Sequence, residues 1–204
     1  EKLDNSMIYQ QIIWAILGML LSFVAMFMVA GIVLDKEMGL DKRIRISLLR
    51  IRTIDNSHLI AILTVLSIYS LLLCILVGSK LKDFTLRQGG SLYLLLLLFS
   101  LCLGLWFILL GKVIRHVGRY QYIGSFSILL FGFIGFFYLA KGFVHSGLLY
   151  ISRFIPNSWF IQGFTDIILN TSLQHIPFTA HKNLAIIAIF LFILNGLIGR
   201  RQNR

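Results

Sequence analysis

Residues 12–34 read IIWAILGMLLSFVAMFMVAGIVL, with no charged side chain, and run past the roughly 20 residues that a helix needs to cross a bilayer's hydrocarbon core. The chain around this run has a mean hydropathy of +0.87, and only 13% of its residues are charged. Too few charges remain to build a water-facing surface, so a soluble fold is excluded. Leu, Ile and Phe fill the apolar runs without the strict alternation that a membrane barrel requires. The expected fold is an all-α integral membrane protein.

Working outward, four more apolar runs follow, at about 59–78, 92–110, 123–140 and 184–198. They predict five membrane spans within one domain covering 1–204. Residues 79–90, ending in Gly89-Gly90, and residues 111–120 form short polar links. Residues 144–169 are semi-apolar and broken by Pro156, which favours an extended residue before it and a helix start after it. Two short helices are expected there, Leu148–Phe154 and Trp159–Leu169, as an outer re-entrant hairpin that does not cross fully. Trp159 is expected at the interface with its ring N–H in water. Asp166 is the hairpin's carboxylate, read as a solvated or capping acid. Gly18 and Ser22 form a small-xxx-small pair that permits close helix packing.

The first span hands over to the largest charge cluster in the chain, LDKEMGLDKRIRISLLRIRTID, residues 34–55. With alternating spans, this stretch, the 111–120 link and the C-terminal tail lie on one side. Together they hold most of the lysines and arginines, including Lys42, Arg43, Arg45, Lys112, Arg115 and Arg200. The positive-inside rule makes that side cytoplasmic. The N-terminus then lies outside, and a further span upstream of Glu1 would bring the number to six.

The net charge of +11 does not indicate a nucleic-acid partner, because the basic residues sit between apolar runs where they orient helices. Cys74 and Cys102 lie inside apolar runs and read as inert thiols. No GxxxxGK[ST] loop occurs, so ATP is not bound by that route. His58, His116, His145, His175 and His181 make no metal-ligand pattern and read as satisfied interfacial residues. No acid lies in a span core, where a proton-coupled carrier would need one. The phenylalanines of the fourth span read as packing or lipid-facing residues rather than as a drug pocket.

An apolar span, then Asp35-Lys36-Glu37-Met38-Gly39, then a basic segment, resembles the ABC-2 type transporter permease family. Ile155-Pro156-Asn157-Ser158-Trp159 before the last span is a second likeness. The departures are Leu40, where the family commonly has threonine, and the lack of the family's first span and large outer domain.

The resemblance implies the second to sixth spans of a six-helix permease. This would be the membrane subunit of an ATP-driven exporter of hydrophobic or amphipathic substrates in a bacterial plasma membrane. It further implies pairing with a second permease and with cytoplasmic ATPase subunits that carry ATP and magnesium, this chain holding no cofactor. Residues 35–53 would be a cytoplasmic coupling helix, with Asp35, Lys36, Glu37, Met38, Gly39, Leu40, Arg43, Ile44 and Leu48 in the docking segment. Leu40, Ile44, Leu48 and Ile51 recur at helical spacing, an apolar stripe with basic flanks. Glu37 would either pair with a basic group of the partner or cap this new helix, and Pro156, Trp159 and Asp166 would belong to the hairpin that caps the exit. The alternatives are a basic amphipathic helix resting on anionic lipid and a membrane anchor that transports nothing.

Overall fold

The structure is a computed structural model, which describes residues 5–39, 51–80, 85–137, 146–169 and 178–202. Seven helices follow one another in the described residues. They are α1 (Asn5–Glu37), α2 (Ile51–Lys80), α3 (Leu86–Val113), α4 (Val117–Phe137), α5 (Ser146–Ser152), α6 (Pro156–Leu169) and α7 (Phe178–Gln202). Among the described residues, four stretches are long and apolar enough to cross a membrane: Ile12–Glu37, Ser57–Ser79, Leu86–Val113 and Phe178–Gly199. The expected fourth span, 123–140, is helical up to Phe137 as part of α4, and residues 138–140 lie outside the described residues.

Every long helix extends beyond its apolar run. The main-chain ladder, not hydropathy, decides where a helix stops. Gly89-Gly90, expected in the link, lies inside α3, because Thr85 and Gln88 start the helix earlier. The Gln88 N–H donates to Thr85 Oγ1 at 3.3 Å and the Thr85 N–H to Gln88 Oε1 at 2.9 Å, a reciprocal capping box. The expected ten-residue link at 111–120 shrinks to Ile114–His116, since α3 runs to Val113 and α4 begins at Val117. The ends of the expected 35–53 coupling segment also belong to its neighbours: residues 35–37 close α1 and residues 51–53 open α2.

Helix α3 is the central post, with α1, α2, α6 and α7 packed around it. Leu92, Leu95, Leu96, Phe99 and Phe107 of this helix are almost wholly buried. Polar side chains tie it to its neighbours: the Ser70 and Ser100 hydroxyls lie 3.0 Å apart, Asn195 Nδ2 donates to the Leu105 carbonyl at 2.9 Å, and Cys102 Sγ donates to the Leu184 carbonyl at 3.3 Å. In lipid the apolar effect does not pull helices together, so close packing and such bonds carry the association. Helix α4 lies along α1 on the other side. Outward faces of α2, α4 and α7 present exposed Ile68, Leu72, Phe126, Phe133, Ile189 and Phe192, as a lipid-embedded bundle requires.

Candidate functional site

The bundle has two distinct poles. One collects Lys36, Lys112, Arg115 and Arg119 where α1, α3, α4 and α7 meet, and is called here the basic pole. Lys112 Nζ donates to the Asn195 carbonyl at 3.1 Å, which ties α3 to α7 there. Of the expected basic links, Lys36 and the 112–119 residues come to one end of the bundle, while Lys42, Arg43, Arg45 and Arg50 lie outside the described residues.

At this pole α1 ends in Asp35-Lys36-Glu37, and the last turn is closed by Met38 N–H to Leu34 O at 2.9 Å and Gly39 N–H to Lys36 O at 3.0 Å. Gly39 has φ +75°, a left-handed conformation that halts the helix and that residues with a Cβ resist. Asp35 and Lys36 are half-buried and Met38 is exposed. The exposed Glu37 carboxylate turns to the start of α4. Its Oε2 accepts the Val117 backbone N–H at 2.8 Å, and its Oε1 lies 3.4 Å from His116 Nδ1. The cap expected for a helix beyond Gly39 thus falls on α4, whose start the three-residue link delivers beside the end of α1. A carboxylate at a helix N-terminus satisfies a free amide and meets the positive end of the helix dipole. Leu40, Arg43, Ile44 and Leu48 of the expected coupling stripe lie outside the described residues.

The other pole carries α5 and α6. Pro156 is the first residue of α6, where its missing N–H and fixed φ cost nothing. The break before it is held by Phe154 N–H to Ile151 O at 3.0 Å and Ile155 N–H to Ser152 O at 3.1 Å. Trp159, expected with a wet N–H, instead donates its ring N–H to the Arg153 carbonyl at 2.7 Å and so pins the turn. The turn exposes a carbonyl within reach of an indole one and a half helical turns on. Asp166 is half-buried in the second half of α6, too far from the first turn to cap it.

Asn157 belongs to the Ile155–Trp159 motif, but the sequence assigns it no role. It is 4% exposed, its Nδ2 donates to the Phe131 carbonyl of α4 at 3.1 Å, and its Oδ1 has no partner among the described residues. Two glycines make room for it. A Cβ on Gly18 of α1 would lie 2.8 Å from Asn157 Oδ1, and one on Gly135 of α4 would lie 2.8 Å from Asn157 Nδ2. Asn157 is therefore a wedge between α1 and α4. The small-xxx-small pair at Gly18 was the available signal, but nothing in the sequence named the side chain that fills it.

Between the poles an open apolar groove of about 590 Å³ runs between α1 and α4, with Ile16 and Met19 on one wall and Phe126, Leu129 and Phe133 on the other. Among the described residues no three His, Cys, Asp or Glu side chains come together as a metal site.

The family model for ABC-2 family transporter proteins matches residues 2–198 of the chain. Comparison with curated proteins finds no match.

Proposed function

Because the chain belongs to the ABC-2 transporter family, we propose that it is the permease subunit of an ATP-binding cassette exporter that lifts a hydrophobic or amphipathic substrate out of the cytoplasm or inner leaflet. Membership makes it a multi-pass membrane subunit of an ABC transporter rather than the ATPase. On this reading ATP and magnesium are held by a separate cytoplasmic ATPase subunit, and a second permease completes the translocation path. The basic pole faces the cytoplasm of a bacterial cell, and the five helices α1, α2, α3, α4 and α7 are the spans. Residues 40–50 follow the Gly39 turn and dock on the ATPase as the coupling segment, and α5 and α6 cap the exit as a re-entrant hairpin.

The observation that carries this reading best is the gathering of the charged end of α1, the start of α4 and Lys112 at one pole, opposite the hairpin. A transmission surface and an exit cap must lie on opposite sides of the membrane. The test is purification of the chain from its native membrane under mild detergent. An ATPase subunit should accompany it, and reconstituted complex should hydrolyse ATP faster when substrate is added. A chain that inserts normally but brings no ATPase would support the anchor alternative.

A further inference from the structure

Helix α4 is gripped at both ends by residues from other helices. At the basic pole the Glu37 carboxylate of α1 holds the first amide of α4. In the first turn of α4 the Tyr120 hydroxyl also donates to the Met26 carbonyl at 3.1 Å, and further along Met26 and Met19 fill the space left by Gly124 and Gly132. At the hairpin pole Asn157 of α6 sits against Gly135 and donates to the Phe131 carbonyl. From Val117 to Gly135 the helix is unbroken, a rod of about 27 Å at the usual rise per residue.

We infer that Glu37 and Asn157 are a matched pair of positioning residues, through which α4 carries displacement from the basic pole to the outer hairpin. An α-helix is stiff along its axis, and tightly packed contacts shift as units rather than deform continuously. Movement of the α1 end therefore drives α4 through the Glu37 cap, without requiring the whole bundle to repack. The Asn157 end is built to let go. Its amide nitrogen makes one bond, while its carbonyl oxygen is buried with no donor among the described residues. A buried acceptor without a donor is costly, and it regains hydrogen bonds once the hairpin lifts into water. The Asn157 contact with α1 and α4 is thus seated by shape against two glycines and latched to α4 by one hydrogen bond. This inference rests on the proposed function, which places the ATPase at the basic pole.

The test uses the complete transporter in vesicles, with Phe154→Cys as the reporter; Phe154 is exposed in the turn between α5 and α6. Modification of this cysteine by an impermeant maleimide is compared in the resting state and after trapping with ATP and vanadate, per molecule of trapped nucleotide. Protein without the reporter corrects for Cys74 and Cys102. Trapping should speed the modification in the reporter protein. Glu37→Ala should abolish that response, and Glu37→Gln, which keeps an acceptor for the Val117 N–H, should restore much of it. Asn157→Ala should raise modification in the resting state and, combined with Glu37→Ala, leave it high and insensitive to nucleotide. A full response in Glu37→Ala, or a resting rate unchanged by Asn157→Ala, would overturn the inference while leaving the transport reading intact. A reporter protein that traps nucleotide but shows no response would instead count against the hairpin as exit cap, and so against the reading beneath it.

Discussion

The Glu37 carboxylate accepts the Val117 backbone N–H at 2.8 Å across 80 positions of sequence, so the end of one expected span caps the start of another. The bond makes Glu37 part of the bundle's own architecture. Glu37→Gln keeps an acceptor and should leave amide exchange at Val117 slow. Glu37→Ala should speed exchange several-fold at Val117 while leaving the middle of α4 protected. Glu37→Lys sets a positive charge against the positive end of the helix dipole, beside Lys36 and His116. That variant should insert in the membrane and yet lose substrate-stimulated ATP turnover.

Gly39 makes a prediction that rests on backbone alone. A Cβ there would meet nothing within 4 Å, so space is not the constraint. Its φ of +75° is. Gly39→Val should therefore cost roughly 1–2 kcal/mol of stability at the α1 end, whereas Gly39→Asn should cost less because asparagine enters this region more readily. Comparing substrate-stimulated turnover of the two variants checks it. The asparagine variant should retain coupling better, and equal losses would contradict a turn requirement.

Gly163 makes the opposite case, in which space is everything. A Cβ there would lie 2.7 Å from Leu95 Cδ1 and 2.8 Å from the Ala180 methyl, and a methyl on the backbone cannot swing aside. Gly163→Val should push α6 off α3 and α7, with a loss of about 1–3 kcal/mol as for other overpacked sites. Its thermal unfolding midpoint in detergent should fall below that of the unsubstituted protein. Gly118→Ala, which meets nothing within 4 Å, should match or exceed it.

The all-helical membrane fold was legible because hydropathy is a local property that a run such as 12–34 carries by itself. Pro156 likewise announced the break before α6, since its ring acts within a residue or two. Helix ends were harder to place. The capping box at Thr85 overrode the Gly89-Gly90 signal, and a cap weighs as much as a glycine's helix penalty of about 1 kcal/mol. The site residues divide in the same way. The charged end of α1 was visible as composition, but the partner of Glu37 lies at Val117, and no local pattern names a backbone amide so far along the chain. Asn157 was visible in the Ile155–Trp159 motif, but its role escaped for the same reason, since it comes from Gly18 and Gly135, which only tertiary packing brings beside it. Leu40, Arg43, Ile44 and Leu48 lie outside the described residues, and their docking role is what the family resemblance implies.

The proposed orientation, with the basic pole in the cytoplasm, makes a prediction about thiol accessibility. Ser47→Cys should resist an impermeant thiol reagent in intact cells and react after permeabilisation, while Phe154→Cys should react in both. Ready labelling at position 47 in intact cells would invert the orientation and with it the direction of the proposed coupling.

The central claim is that the segment after Gly39 delivers this membrane subunit to a cytoplasmic ATPase. A photocrosslinking amino acid in place of Ile44, activated in intact cells, tests it most directly. The account predicts a covalent adduct to an ABC ATPase subunit, reduced in Glu37→Lys. Adducts to lipid alone, from a chain shown to be inserted in the membrane, would contradict it.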